Sequence, residues 1–138
     1  MTNWVGSSWW ELRLLPGWSA RQDPECLTLT KSDEGALQLS GSVKTKGIID
    51  PSEIQAHATR QARNGTSLEK VSLGAFEGWS EEFLEKASYW RRYWLWHGNL
   101  LIFVTYNGSS TASRAEEADV RSMLCSLRIR KDLGGVPS

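Results

Sequence analysis

The sequence predicts an α+β fold with a central antiparallel sheet of about 5–7 strands, flanked by two main helices near residues 51–64 and 114–127. Three observations lead there. Two β-rich runs, Tyr89 to His97 and Leu100 to Tyr106, are joined by the tight-turn dipeptide Gly98-Asn99. Asp50-Pro51 followed by Glu53 carries the boundary chemistry of a helix start. Val120, Met123, Leu124 and Leu127 recur at the three-and-four spacing of an amphipathic helix.

Taken in order, Trp9 to Leu15 reads as a first strand, punctuated by Pro16-Gly17-Trp18. Cys26 to Thr30 and Ala36 to Ser40 both alternate apolar and polar residues around the turn signal Asp33-Glu34-Gly35, which predicts a hairpin. The first helix opens on the N-cap Asp50 and stops at Asn64-Gly65; with only Ile54, Ala56, Ala58 and Ala62 as apolar residues, it covers the sheet thinly. Ser67 to Leu73 resumes β character, residues 74–81 form a loop or bulged edge around Gly78-Trp79, and residues 82–87 form a further strand. A two-residue turn at Gly98-Asn99 sets Trp96 against Leu101, Trp94 against Phe103 and Arg92 against Thr105 on one face. Leu95 then meets Ile102, Tyr93 meets Val104 and Arg91 meets Tyr106 on the other. Both faces are apolar, so this hairpin belongs in the middle of the sheet with cover on both sides. Ser113 is the expected N-cap of the second helix, with Glu116 and Glu117 in its first turn.

Composition narrows the function classes. A chain of 138 residues fits one domain, read as 1–138 with flexible ends at 1–8 and 131–138. Its 16 basic and 16 acidic residues cancel without like-charge runs, which argues against a nucleic-acid partner. The start lacks the features of a secretion signal and no apolar run approaches membrane-spanning length, so a cytoplasmic protein without membrane insertion is expected. Cys26 and Cys125 belong to no metal or redox motif and read as reduced core residues. Asn64-Gly65-Thr66 and Asn107-Gly108-Ser109 fit a glycosylation pattern but read as turns.

The residues offer no catalytic apparatus, cofactor motif or metal site. His57 reads as a half-exposed helical residue and His97 as a turn residue, and the two lack ligand spacing. The paired acids Asp33-Glu34, Glu81-Glu82 and Glu116-Glu117 read as solvated surface. What stands out is eight tryptophans against three phenylalanines. Large residues filling a two-sided core explain many of them. A cluster in excess of what the thin first helix covers would instead mark a partner surface, since tryptophan, tyrosine and arginine dominate binding hot spots. The candidate partner-binding residues are Trp79, Tyr89, Trp90, Arg91, Arg92, Tyr93 and Trp94.

The element order, with the phrases Leu15-Pro16-Gly17-Trp18, Gly35 to Ser40, Trp90-Arg91-Arg92-Tyr93-Trp94 and Thr105-Tyr106, resembles the PsbP/Mog-type superfamily over about residues 9–130. The resemblance implies a protein that is mostly not an enzyme. That superfamily includes a binder of a nuclear-transport GTPase, a photosystem subunit and chaperones of type VI secretion effectors, and many small immunity-type proteins share this size and organisation. The expectation is a non-enzymatic protein-binding module of a bacterial cytosol, monomeric or homodimeric. It is read first as an immunity protein that neutralises a cognate toxin, and alternatively as a secretion chaperone holding an apolar effector segment. A carbohydrate-binding protein or small hydrolase is the lesser alternative.

Overall fold

The computed structural model describes residues 3–63 and 66–130. In chain order the elements are β1 (Asn3–Gly6), β2 (Trp10–Leu14), β3 (Ser19–Gln22), β4 (Leu27–Thr30), β5 (Gly35–Val43), α1 (Pro51–Gln61), β6 (Glu69–Leu73), β7 (Phe76–Glu85), β8 (Ser88–His97), β9 (Leu100–Ser109), α2 (Ser110–Cys125) and β10 (Arg128–Ile129). Gly98 has φ 60° and His97 pairs with Leu100, so Gly98-Asn99 is the two-residue turn the sequence predicts. The expected pairs of Trp96 with Leu101, Trp94 with Phe103, Tyr93 with Val104 and Arg91 with Tyr106 are all present. The β8–β9 hairpin lies inside a seven-stranded antiparallel sheet of order β3-β4-β5-β9-β8-β7-β6, and the β4–β5 hairpin joins it through β5.

The expected arrangement, one central sheet of about 5–7 strands flanked by two helices in the PsbP/Mog-type manner, is corrected by the structure. The described residues are mostly β, with 50% in strands and 21% in helices, and a second, three-stranded sheet of order β1-β2-β10 accompanies the large one. The second sheet supplies cover that the sequence assigned to helices. Trp10 and Leu12 of β2 are buried in the same core as Leu29, Leu37, Leu39, Ile102 and Val104. Gly41 of β5 makes room for that contact: a Cβ there would lie 2.7 Å from the indole nitrogen of Trp10. Asn3–Gly6, expected to be part of a loose end, is a strand paired to β2.

Three further local readings change. Residues 76–81, read as loop or bulged edge, are the first half of β7. Gly78 is needed there because the strands approach closely: a Cβ would fall on the Trp94 carbonyl. Asn107-Gly108, read as a turn, lies within β9; the Asn64-Gly65 stop signal lies outside the described residues, as do 131–138 and Met1-Thr2. The second helix starts at Ser110 with Ser109 as N-cap, so Glu116 sits beyond its first turn.

α1 begins as its sequence dictates. The Asp50 carboxylate accepts from the Ser52 N–H at 2.8 Å, and the Asp50 N–H donates to Glu53 at 3.1 Å. Hydrogen bonds from Ser52 hold the Asp50 carboxyl below its ordinary value, and Lys44, 2.7 Å from Glu53, does the same for that residue. Both groups titrate lower in the folded chain than in the unfolded one. Their contribution is therefore complete above about pH 5 and is lost as pH falls through the lower folded values. In thermal melts from neutral pH downward, the Asp50→Asn, Glu53→Gln double variant should lose less stability below that pH than the wild type does; equal losses would show that the cap is not a pH-sensitive element.

Candidate functional site

The two faces of the large sheet are covered unequally. On one, Ile54 and Ala58 of α1 pack with Ile49 on Trp94, with Trp79, Trp96, Leu101 and Phe103 around them. On the other, α2 buries Ala112, Glu116, Val120, Met123 and Leu124 against the sheet and β2. α2 leaves the β6–β7–β8 side of that face open. The result is a half-open groove of about 450 Å³ with β6 and β8 as its floor and Arg114, Glu117 and Arg121 of α2 as its wall.

Strand alternation assigns the seven candidate residues. Tyr89, Arg91 and Tyr93 point into the groove, whereas Trp90, Arg92 and Trp94, with Trp79 of β7, lie on the α1 face. Trp94 is fully buried, and Trp90 stacks on Phe83 with ring centroids 6.2 Å apart. Arg92 is committed to structure: its guanidinium pairs with the buried Glu81 and donates to the Gln61 carbonyl at 3.1 Å. Glu81 also accepts from the Arg63 N–H at 3.0 Å, so this carboxylate ties the end of α1 to β7 and β8. Glu81 and Glu116, both expected at the solvated surface, are 2% and 3% exposed. Glu116 is compensated by the Tyr106 hydroxyl at 2.6 Å and the Ser32 hydroxyl at 3.1 Å.

Within the groove the Tyr89 hydroxyl donates to Glu82 at 2.6 Å, and Arg91 Nη1 lies 3.9 Å from the same carboxylate. The Arg91 guanidinium carbon is 5.6 Å from the centre of the Tyr93 ring. Burial raises the Tyr93 phenol above its ordinary value, opposed by the charges of Arg91 and Arg121. Tyr89 rises through burial and its bond to Glu82, and Tyr106 through burial and its bond to Glu116. All three phenols are protonated donors at neutral pH. The arrangement can bind and orient polar groups through guanidinium and hydroxyl donors beside apolar patches from Val71 and Val120.

The histidines lie elsewhere. His97 Nδ1 is 2.9 Å from the Ala75 carbonyl and His57 borders a hollow beside α1. Among the described residues no group of His, Cys, Asp and Glu is disposed to hold a metal ion. The cysteines, expected in the core, are half-buried at Cys26 and exposed at Cys125 on the groove rim. No helix among the described residues is long and apolar enough to cross a membrane. Sequence reasoning missed Glu82, Arg114 and Arg121. The spacing of the two arginines, seven residues and hence about two helical turns, was a signal, but only the position of β8 makes them face Arg91.

Fold and groove together define a β-rich α+β domain with a polar cleft. No protein-family model and no curated protein matches the chain. Among solved structures it is similar to a protein of Bacteroides thetaiotaomicron VPI-5482, crystallised at 1.50 Å resolution, with a TM-score of 0.63 and 16% sequence identity. The match covers 90% of this chain and 46% of that one, so this chain spans less than half of that protein's length. At that identity the likeness is one of fold alone.

Proposed function

We propose that the chain is a non-enzymatic protein-binding module whose partner docks in the groove between α2 and β6–β8. The observation that carries this reading is the placement of Tyr89, Arg91, Tyr93 and Arg121, residue types typical of interface hot spots, around a cleft in a well-packed scaffold. Within that class the charged lining favours an inhibitor of the immunity type, acting on a cognate toxin in a bacterial cytosol. A secretion chaperone would need a long apolar trough, and Arg114, Glu117 and Arg121 interrupt any such surface here.

The test is affinity capture from the cells that encode the protein, using wild type and Arg121→Glu side by side. Arg121 is an exposed helical residue, 69% exposed in its side chain, so the substitution should change stability by no more than about 0.5 kcal/mol. The expected result is one protein retained by wild type and lost by the variant; if that protein is an enzyme, mixing with the wild-type chain should inhibit it. Equal retention by both chains, or no retained protein, would overturn the assignment of the groove.

A further inference from the structure

Resting on the reading of the groove as a partner site, we propose that its specificity is for a carboxylate, supplied by an aspartate or glutamate side chain of the partner polypeptide. Arg91 receives it, with the Tyr93 hydroxyl and Arg121 completing the cradle.

Arg91 is the unusual group. Its side chain is 21% exposed, yet its Nε is buried without any hydrogen-bond partner. A guanidinium presents five donors in a planar fork; the Tyr89 hydroxyl engages part of this set, but an Nε–H left idle away from water is costly. Its acidic neighbour does not meet that need: Glu82 Oε2 is 3.9 Å away, beyond hydrogen-bond reach, and already accepts the Tyr89 hydroxyl. The Tyr93 hydroxyl is idle too. Unlike Tyr89 and Tyr106, it makes no hydrogen bond among the described residues, although it borders the groove between Arg91 and Arg121. Among the described residues Arg121 makes a long 3.9 Å contact to Glu117.

Three donor groups thus line one recess, and the carboxylates beside them, Glu82 and Glu117, come no closer than 3.9 Å to the two guanidinium groups. A carboxylate matches the planar fork and accepts from the phenol with its second oxygen. The groove's three arginines are balanced by Glu69, Glu82 and Glu117, so a single negative charge fits where a phosphate dianion would meet more repulsion. β6, an edge strand of the sheet, forms part of the cleft floor, so an extended segment can pair along it and run past the recess.

The experiment selects a phage-displayed random peptide library on the immobilised full chain, then measures synthetic versions of the recovered peptides by fluorescence anisotropy. The expected result is a fixed Asp or Glu position whose change to Asn or Gln weakens binding about tenfold or more, with a loss of the same order for Arg91→Gln. Tyr93→Phe and Arg121→Gln should each weaken binding severalfold. Arg121, being exposed, keeps the test valid if Arg91→Gln fails to fold. Peptides without a fixed acidic position that are nevertheless lost on Arg121→Glu would overturn the carboxylate assignment and leave the protein-binding reading standing. Tighter binding when phosphoserine replaces the acid would overturn it as well. Recovery of no groove-dependent peptide would overturn both.

Discussion

Glu81→Ala is expected to destabilise the chain by about 3–5 kcal/mol in urea unfolding, because it strips the partner from Arg92 and the acceptor from the Arg63 N–H at the end of α1. The magnitude follows from burial. Glu81 is 2% exposed, and removing one member of a buried ion pair leaves the other charge desolvated and unmatched. Arg92→Ala should cost a similar amount, since it leaves the Glu81 carboxylate buried with the Arg63 N–H as its remaining donor. The double variant Glu81→Leu, Arg92→Leu should be less damaging than the sum of the two alanine changes, because no uncompensated charge remains. A loss below about 1 kcal/mol for Glu81→Ala would place the carboxylate in solvent and refute the clamp. The same measurement separates Arg92 from the groove: its replacement should lower the melting temperature, whereas Arg121→Gln should alter peptide binding and leave melting nearly unchanged.

The second large effect is expected at Trp94. Its side chain is fully buried, with Ile54 and Ala58 of α1 packed on it and the Phe103 ring centroid 5.7 Å away. Trp94→Ala removes the fully buried indole beneath α1 and should cost about 3–5 kcal/mol, the range for truncating a buried aromatic. Trp94→Phe should recover much of that loss, because the thin α1 has few other apolar contacts to lose. Chemical denaturation of the three chains checks this. If Trp94→Ala instead weakened peptide binding with stability intact, Trp94 would belong to an interface and the α1 face would replace the groove as the partner site.

The tryptophan-rich strand shows how far sequence can carry the site. Alternation placed Trp94 and Arg92 on one face and Tyr93 and Arg91 on the other, and the observed register agrees. What alternation could not supply was which face remains open. Coverage depends on where α1 and α2 settle, and on a second sheet in which β2 pairs with β10 near the opposite end of the chain. For that reason Trp10 and Trp18 are buried while Trp9, adjacent to Trp10, is 37% exposed. Glu81 and Glu116 were misread on the same account: an acidic pair looks solvated until Arg92, Tyr106 and Ser32 are brought to it from other elements.

By itself the sequence determined the Gly98-Asn99 turn, the β8–β9 register, the β4–β5 hairpin and the capping box at Asp50, since each depends on groups a few residues apart whose geometry is set by backbone sterics and local hydrogen bonds. Only the tertiary structure decided the three-stranded sheet, the burial of Glu81 and Glu116, and the groove in which Arg91, Tyr93 and Arg121 meet. These arise from packing between segments remote in the chain, where a residue's environment depends on its neighbours across space and its own chemistry is compatible with either surface or core.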